Sequence, residues 1–247
     1  ASLVGSEMCI RDRENAEKRN KGAIYIMERL LCLIIGYVFG MFQTGFIYGK
    51  INHIDIREHG SGNAGTTNAL RTLGWKAGFI TFAGDILKAV LASLVVRLIF
   101  RNTHTDSMTL LVLYTGIGTV IGHNFPFYLH FKGGKGIAAT AGVIVSLGCW
   151  QLDLLGFVAF MLTLFITRYV SAGSLVMVLS VFAGFVVFDH IGLIGGLLSK
   201  ATTIEATIVM LVFVILAFVR HKANIKRLLH GEENEFKLKK NMVEEEK

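Results

Sequence analysis

Residues 203–224 read TIEATIVMLVFVILAFVRHKAN, and this stretch indicates the fold class. A helix needs about 20 mainly apolar residues to cross the ~30 Å hydrocarbon core of a bilayer. Residues 203–220 come close to that length and are mainly apolar, and the polar residues His221 to Asn224 follow at once. Because polar groups at bilayer depth need protein or water around them, the stretch predicts a membrane helix that ends at a site.

The whole chain has the composition of a membrane protein. Of its 247 residues, 53% are apolar and only 17% are charged, whereas a soluble domain usually has about 25% charged residues. The composition therefore predicts an all-α, polytopic integral membrane protein with about seven transmembrane helices. The predicted spans are residues 26–49, 76–99, 108–127, 136–151, 152–168, 172–197 and 203–220, and the polar residue Gln151 is the only break between the apolar parts of the fourth and the fifth.

Composition also divides the chain into three parts. Residues 1–22 are polar, lack the apolar segment of a secretory signal and precede an abrupt change at Ala23, so we expect a non-native or disordered leader there. Residues 23–233 form the predicted membrane domain, and residues 234–247 form a charged tail.

Lysine and arginine in short loops resist translocation, so their distribution predicts orientation. The first, third and fifth connections carry seven of these residues: Lys50, Arg57, Arg71, Lys76, Lys132, Lys135 and Arg168. The second, fourth and sixth carry three: Arg97, Arg101 and Lys200. We therefore expect the N-terminus outside the cell, and the tail and the polar segments on the cytoplasmic side.

The formal net charge of +7 points to anionic partners. Because the positive residues are spread over short connections and a tail, they suit an anionic membrane surface and phosphate-bearing substrates better than nucleic acid. We expect no nucleic-acid partner.

The first polar segment, residues 61–71, reads SGNAGTTNALR. Glycine lets backbone N–H groups approach an anion, and arginine holds phosphate with a planar fork of donors. Ser61, Thr67, Asn68 and Arg71 are therefore candidate ligands of a phosphate group. The alternative is a turn and helix cap in a membrane loop.

The second polar segment is FKGGKG, residues 131–136, directly before an apolar run. A helix N-terminus there would add its positive end to two ammonium groups, which predicts a phosphate cradle made by Lys132, Gly133, Gly134, Lys135 and Gly136. It is not a P-loop, because Gly136 stands where Ser or Thr should bind magnesium. A basic turn at the membrane surface is the alternative.

Three further groups of polar residues adjoin the spans. Asp85 and Lys88 lie three residues apart in the second span, so each can offset the other's cost in the bilayer, and a functional role is as plausible as simple pairing. His221, Asn224 and Arg227 share one helical face, although basic residues after a span can serve orientation alone. Between spans five and six the candidates are Arg168, Ser171 and Ser174.

No motif indicates a metal or a classical nucleophile. The chain has no H-E-x-x-H, no C-x-x-C and no G-x-S-x-G, so the residues predict neither a metal site nor a classical nucleophile.

Four segments in this order resemble the bacterial acyl-phosphate:glycerol-3-phosphate acyltransferases of the PlsY family: residues 61–71, 85–88, 122–140 and 221–233. The family patterns are S-G-N-x-G-A-T-N-x-x-R, D-x-x-K-G, G-H-x-F-P-x-x-x-x-F-K-G-G-K-G-x-A-T and H-x-x-N-I-x-R-L-x-x-G-x-E. This chain departs from them at Thr66, Ala89, Ala139 and Lys222, where the family has alanine, glycine, threonine and commonly arginine, and its threonine follows one residue later at Thr140.

The resemblance implies transfer of a fatty acyl group from acyl phosphate to the 1-hydroxyl of sn-glycerol 3-phosphate, without cofactor or metal, at the cytoplasmic side of a bacterial inner membrane. It implies membrane lipids as surroundings and functional coupling to the enzyme that forms acyl phosphate. The implied catalytic residues are Ser61, Arg71, Lys132, His221 and Asn224. The implied binding residues are Thr67, Asn68, Ser171 and the Gly133 to Gly136 loop, supported by Asp85, Lys88 and Arg227.

Two other functions fit the residues less well. A transporter of an organic phosphate or anion also builds sites from broken polar segments between helices, but the halves of this chain show no repeat. A structural membrane protein with basic loops would leave the donors of residues 61–71 unexplained.

The orientation can be tested by cysteine labelling. In a variant without its native cysteines, we expect Lys240→Cys in intact cells to resist a membrane-impermeant thiol reagent and Arg101→Cys to react, because the loop charges place them on opposite sides. Both should react after lysis. Ready labelling at position 240 in intact cells would reverse the topology.

Overall fold

The computed structural model describes residues 22–103, 107–193, 198 and 200–236. Its α-helices are α1 (22–40), α2 (Thr44–Ile51), α3 (Thr66–Leu73), α4 (Trp75–Phe100), α5 (Met108–Asn124), α6 (Ile137–Ser146), α7 (Trp150–Thr167), α8 (Val170–His190), α9 (Lys200–Arg220) and α10 (Lys222–Leu229). The described residues contain no strand. The predicted all-α class is therefore confirmed.

Six stretches of the described chain are long and apolar enough to cross a membrane. They are Gly22–Ile51, Trp75–Phe100, Met108–Leu129, Trp150–Thr167, Val170–His190 and Ala201–Arg220. The predicted fourth span, residues 136–151, is instead the 10-residue helix α6, which is only about 15 Å long. The chain turns at residues 147–149, where Gly148 has φ of 72°, and Gln151 lies inside α7.

A side chain of α4 satisfies a carbonyl group at the C-terminal end of α6. Arg97, counted above with the second connection although it falls near the end of the predicted second span, lies inside α4. Its Nη2 donates to the Ser146 carbonyl oxygen over 2.7 Å. Carbonyl groups at a helix end have no partner within the helix and are costly to bury unpaired in a membrane protein. This contact allows α6 to end between α4 and α7.

Paired glycines bring α1 and α5 into close contact. Gly36 and Gly40 on α1, and Gly118 and Gly122 on α5, each have the spacing G-x-x-x-G. A methyl group added at Gly40 would lie 2.8 Å from the Thr119 carbonyl carbon, and one at Gly118 would lie 2.9 Å from the Tyr37 nitrogen. Small residues at this spacing allow membrane helices to pack backbone against backbone.

Residues 41–43 interrupt the first membrane stretch, and Lys88 of α4 binds the backbone at this break. Its ammonium group donates to the Gly40 oxygen over 3.2 Å and to the Phe42 oxygen over 2.7 Å. It also contacts Asp85 Oδ1 at 2.9 Å, which confirms the predicted pairing three residues apart. The ammonium group therefore replaces the helical partners that these carbonyl groups lost at the break.

His123 of α5 completes this polar group and links it to the second motif. Its Nδ1 lies 2.7 Å from Lys88 Nζ, and its carbonyl oxygen accepts from Gln43 Nε2 over 2.9 Å. The same carbonyl accepts the N–H of Gly134 over 3.1 Å. The helix break, α4, α5 and the loop at residues 131–136 are thus tied together at one place.

Parts of three predicted segments lie outside the described residues. These are residues 1–21 of the expected leader, residues 194–197 at the end of the sixth span and residues 237–247 of the tail.

Replacing Lys88 should destabilise the whole fold. We expect Lys88→Met to lower the free energy of unfolding by about 3 to 5 kcal/mol, because it leaves the buried Asp85 carboxylate without its partner. Thermal unfolding in detergent measures this loss.

Exposed Lys76, on the same helix, supplies the control variant Lys76→Met, which should unfold like the wild type. Adding Asp85→Asn to Lys88→Met should restore part of the loss, since no uncompensated charge then remains. A wild-type unfolding temperature for Lys88→Met would contradict the proposed importance of this contact.

Candidate functional site

A cavity of about 600 Å³ extends from the first polar segment, residues 61–71, and from His221 and Asn224 along α6 and α7. Its polar end is lined by Ser61, Asn63, Thr66, Thr67, Asn68, Arg71, Lys135, Ser171, His221, Asn224, Arg227, Glu233 and Asn234. The structure thus brings residues from three separate motifs, expected together from the sequence, to one place.

The N-termini of three helices line this polar end. Gly65 to Thr67 begin α3, Gly136 to Ala138 begin α6, and Val170 and Ser171 begin α8. None of the three N-cap residues makes a side-chain hydrogen bond that caps its helix. Because the first N–H groups of a helix lack partners within it, and its dipole is positive there, the arrangement favours an anionic ligand.

Asn68 organises the first motif rather than offering free donors. Its Nδ2 donates to the carbonyl oxygens of Ile56 and His59, over 2.7 and 3.0 Å, and its Oδ1 accepts the Ser61 N–H over 2.8 Å. Both amide hydrogens are thus engaged. Asn68, predicted to bind phosphate, therefore holds the loop that carries Ser61 at the opening of the polar end, which we call the cavity mouth.

Arg71 lies on the last turn of α3 at the same mouth. Its Nη2 donates to the Asn234 carbonyl oxygen over 3.3 Å, and the side chain is partly exposed. Since a guanidinium group has five N–H donors, most of its capacity is left for a ligand.

Only part of the second polar segment, residues 131–136, lines the cavity. Lys135 and Gly136 line the cavity, whereas Lys132, Gly133 and Gly134 do not. Lys132 is exposed, and the N–H groups of Gly133 and Gly134 donate to the carbonyl oxygens of Asn124 and His123. The N–H groups of Gly133 and Gly134, predicted as part of a phosphate cradle, are therefore engaged by α5 in this structure.

Arg220, at the end of α9, fixes this loop from the other side. Its Nη2 donates to the carbonyl oxygens of Gly133 and Gly134, over 3.1 and 2.9 Å. Its guanidinium carbon lies 5.0 Å from the centroid of the Phe125 ring. A side chain at Gly133 would meet Pro126 Cδ at 2.6 Å. The glycines thus allow a close fit that sets the position of Lys135.

A chain of hydrogen bonds joins Lys135 to α10. Lys135 Nζ donates to Asn224 Oδ1 over 2.5 Å, Asn224 Nδ2 donates to Glu233 Oε1 over 2.9 Å, and Arg227 Nε donates to Glu233 Oε2 over 3.0 Å. Asn224 and Arg227 lie on the same face of α10, as their spacing predicts.

Burial is the main cause that lowers the pKa of Lys135, to about 8. The Glu233 carboxylate opposes this shift, and the positive charges of Arg227, Arg220 and Arg71 add to it. Lys135 is therefore charged at neutral pH but close to losing its proton.

His221 is a neutral imidazole with a defined tautomer. Burial, and then the charge of Lys135, lower its pKa to about 4. Its Nδ1 lies 2.8 Å from the Ala217 carbonyl oxygen, which can only accept, so Nδ1 carries the proton. His221 lines the cavity, and its Nε2 is left with a lone pair.

Two hydroxyl groups at the polar end have no partner within the described structure. Ser171 Oγ and Thr66 Oγ1 are buried and make no hydrogen bond. Ser174 Oγ, in contrast, donates to the Val170 carbonyl oxygen over 2.8 Å. The residues alone left Ser171 and Ser174 open and the family resemblance implied Ser171, whose hydroxyl is the one of the two without a partner in the described structure.

The supporting pair lies partly at the cavity wall. Asp85 and His123 line the cavity, but Lys88 does not. Lys88 therefore acts on the cavity only indirectly, through its contacts with Asp85, His123 and the break between α1 and α2.

The other end of the cavity is apolar. It runs between one face of α6 and one face of α7, lined by Ile137, Ala138, Ala141, Ile144, Val145, Leu152, Gly156, Phe157, Phe160 and Met161. Val145, Phe157 and Met161 are 50%, 63% and 44% exposed on the outer surface of the helices. A lipid chain fits such a surface, because it is continuous with the hydrocarbon around the protein.

Sequence reasoning missed Arg220 and the role of Glu233. Arg220 looks like an ordinary positive residue after a span, and only its contact with a loop 86 residues earlier distinguishes it. Glu233 ends the fourth family pattern, which was the available signal. The described residues contain no group of three or more His, Cys, Asp or Glu placed to hold a metal ion.

Comparison with known proteins gives consistent matches. The family model described as glycerol-3-phosphate acyltransferase matches residues 30–231. The chain is 39% identical to the glycerol-3-phosphate acyltransferase of Bacillus subtilis (strain 168), over 84% of this chain and 97% of that one. It is 41% identical to glycerol-3-phosphate acyltransferase 2 of Lactobacillus johnsonii, over 83% and 86%.

A solved structure matches the fold as well. It is the crystal structure of PlsY (YgiH), an integral membrane glycerol 3-phosphate acyltransferase, in its glycerol 3-phosphate form. The TM-score is 0.70 at 31% identity, covering 85% of this chain and 96% of that one. A second structure of PlsY, the lysophosphatidic acid form, matches with a TM-score of 0.69.

Proposed function

This chain belongs to the glycerol-3-phosphate acyltransferase family, and on that premise we propose that it uses acyl phosphate as the donor. The fatty acyl group passes to the 1-hydroxyl of sn-glycerol 3-phosphate, and lysophosphatidic acid and phosphate are the products. Family membership favours this activity over the organic-phosphate transporter that the sequence also allowed.

The observation that carries the proposal is the two-part cavity. One end combines Arg71, Lys135 and Arg227 with three helix N-termini, and the other end is an apolar surface along α6 and α7. An acyl phosphate has the same two parts, and glycerol 3-phosphate adds a second phosphate. Both phosphates can therefore meet at the cationic end while the acyl chain lies in the apolar end.

The protein has two tasks in this reaction. It neutralises the phosphate charges, and it aligns the attacking hydroxyl with the acyl carbonyl carbon. An acyl phosphate is a mixed anhydride, so phosphate is a good leaving group once its charge is neutralised. Alignment of the hydroxyl on the carbonyl can supply on the order of 7 to 11 kcal/mol in well-oriented cases. We assign charge neutralisation to Arg71, Lys135 and Arg227, and phosphate binding to Ser61, Thr67, Ser171 and the backbone at Gly136.

Lys135 replaces Lys132 as the catalytic lysine in this proposal. Only Lys135 lines the cavity, whereas Lys132 is exposed beside it. Asn224 positions the Lys135 ammonium group, and Asn68, Gly133 and Gly134 hold the two motif loops in place.

The proton of the attacking hydroxyl goes to His221 Nε2 in this scheme. The imidazole is a weak base in the empty site, since its pKa is about 4. A phosphate dianion bound beside it raises that pKa, because a nearby negative charge favours the imidazolium form. The substrate itself then makes His221 a competent acceptor.

The proposed location follows the loop charges. We place the chain in the bacterial inner membrane with the polar end of the cavity at the cytoplasm, where glycerol 3-phosphate can enter from water. The acyl phosphate comes from the enzyme that forms it, to which we propose functional coupling.

Donor identity is directly testable. With purified protein in detergent and glycerol 3-phosphate, we expect phosphate release and lysophosphatidic acid from palmitoyl phosphate, and at least tenfold lower kcat/KM with palmitoyl-CoA. The cavity offers a phosphate site but the chain has no P-loop for a nucleotide. Equal rates with both donors would contradict the donor assignment, and no product with either would contradict the function.

Arg71→Lys should be more damaging than the retained charge suggests. A guanidinium group can hold phosphate with two parallel hydrogen bonds, whereas an ammonium group is a point charge on a flexible stem. We expect kcat/KM to fall tenfold to a hundredfold, corresponding to about 1 to 3 kcal/mol for a charged hydrogen bond.

Two other arginine-to-lysine variants serve as controls for Arg71→Lys. Arg227→Lys can still pair with Glu233 and should lose less, and Arg101→Lys, exposed at the opposite end of α4, should match the wild type. Wild-type kinetics for Arg71→Lys at equal protein amounts would remove Arg71 from the site.

A further inference from the structure

The segment after α10 closes one side of the cavity mouth. Residues 232–236 have no regular secondary structure, and Glu233 and Asn234 line the main cavity. The Glu232 N–H donates to the Arg227 carbonyl oxygen over 2.8 Å, and the Phe236 N–H donates to the Arg168 carbonyl oxygen over 2.7 Å. The backbone on both sides of Glu233 is therefore held in place.

Glu233 is the carboxylate of this segment that enters the site. Its side chain is only 6% exposed, and its two oxygens accept from Asn224 and Arg227. A buried carboxylate is costly unless it is paired and hydrogen-bonded. A carboxylate at this place would repel a phosphate ligand, so packing alone does not explain why it is there.

The amide of Asn224 can make its two contacts in only one orientation. An ammonium group only donates and a carboxylate only accepts, so Oδ1 must face Lys135 and Nδ2 must face Glu233. Without Glu233, the amide keeps only the Lys135 contact and loses one of the two contacts that fix this orientation.

We propose, resting on the function proposed above, that Glu233 is a positioning residue. It orients the Asn224 amide so that Oδ1 holds Lys135, and it supplies the negative charge that keeps Lys135 an ammonium group at the phosphate end of the cavity. In this role Glu233 acts through Asn224 and Lys135 and does not itself contact the reacting atoms.

The charges around Lys135 show why this negative charge matters. Arg71 faces it from α3, Arg220 from α9 and Arg227 from α10, and all three disfavour its charged form. His221 is neutral beside it, and Asp85 of α4 is already paired with Lys88. Glu233 is the carboxylate that acts in the opposite direction on Lys135.

The test is the protonation of Lys135 in the whole protein in detergent. Acetylation of Lys135 by acetic anhydride, followed by mass spectrometry across a pH series, reports the neutral amine. We expect a midpoint near pH 8 for the wild type, and a midpoint lower by about 0.5 to 1 unit for Glu233→Gln, at the low end of a neighbouring-charge effect. Glu232→Gln removes an equal charge from an exposed side chain in the same segment and should leave the midpoint unchanged.

A double variant keeps the test decisive where Glu233→Gln folds poorly. In Asn224→Asp with Glu233→Gln, the new carboxylate at position 224 accepts from Lys135, and the new amide at position 233 donates to that carboxylate. The midpoint should return to the wild-type value or above it. A midpoint below the wild-type value in the double variant would overturn the proposal, as would an unshifted midpoint in folded Glu233→Gln.

The same samples separate this inference from the proposed function. Labelling needs no turnover, so an inactive wild type would contradict the acyltransferase assignment while the midpoints still decide the role of Glu233. In active protein, the alkaline limb of kcat/KM should move to lower pH in Glu233→Gln by the same amount. A lower unfolding temperature with an unchanged midpoint and limb would mean that Glu233 only stabilises the fold.

Discussion

Four acceptors surround the buried ammonium group of Lys88: the carbonyl oxygens of Gly40 and Phe42, the carboxylate of Asp85 and Nδ1 of His123. A charge in the membrane interior costs several kcal/mol unless it is paired and hydrogen-bonded. The ammonium group is therefore compensated only when the α1–α2 break, α4 and α5 occupy these relative positions. The His123 carbonyl then receives the Gly134 N–H, so the position of the Lys135 loop depends on the same contact.

The polar end of the cavity carries an excess of positive charge even before any ligand binds. Arg71, Lys135 and Arg227 face it together with the positive ends of α3, α6 and α8. Like charges at short distance repel, and burial already lowers the pKa of Lys135 to about 8. Glu233 offsets part of this repulsion in the empty site. A phosphate group would offset more of it, because it brings up to two negative charges and three acceptor oxygens, so the site favours phosphate over a singly charged anion.

The apolar end of the cavity runs along the short helix α6 and the neighbouring α7. At 10 residues α6 ends inside the protein, where Arg97 binds the Ser146 carbonyl oxygen, and the chain turns directly into α7. One face of each helix is left lining an open apolar surface rather than packing against a neighbour. The phosphate site begins at the N-terminus of the same helix, at Gly136. One short helix thus joins the two chemically different halves of the cavity.

The sequence by itself determined the membrane class, the all-α fold and the local groupings, because these depend on residues close along the chain. Asp85 with Lys88, and Asn224 with Arg227, are placed by helical periodicity alone. Only the tertiary structure showed that Lys135 and not Lys132 lines the cavity, ended α6 at Ser146, and revealed the contacts that Arg220 and Glu233 make. Those outcomes depend on contacts such as Lys135 with Asn224, 89 residues apart. Local patterns cannot specify such contacts, because a hydrogen bond depends on the direction and distance of both partners in space.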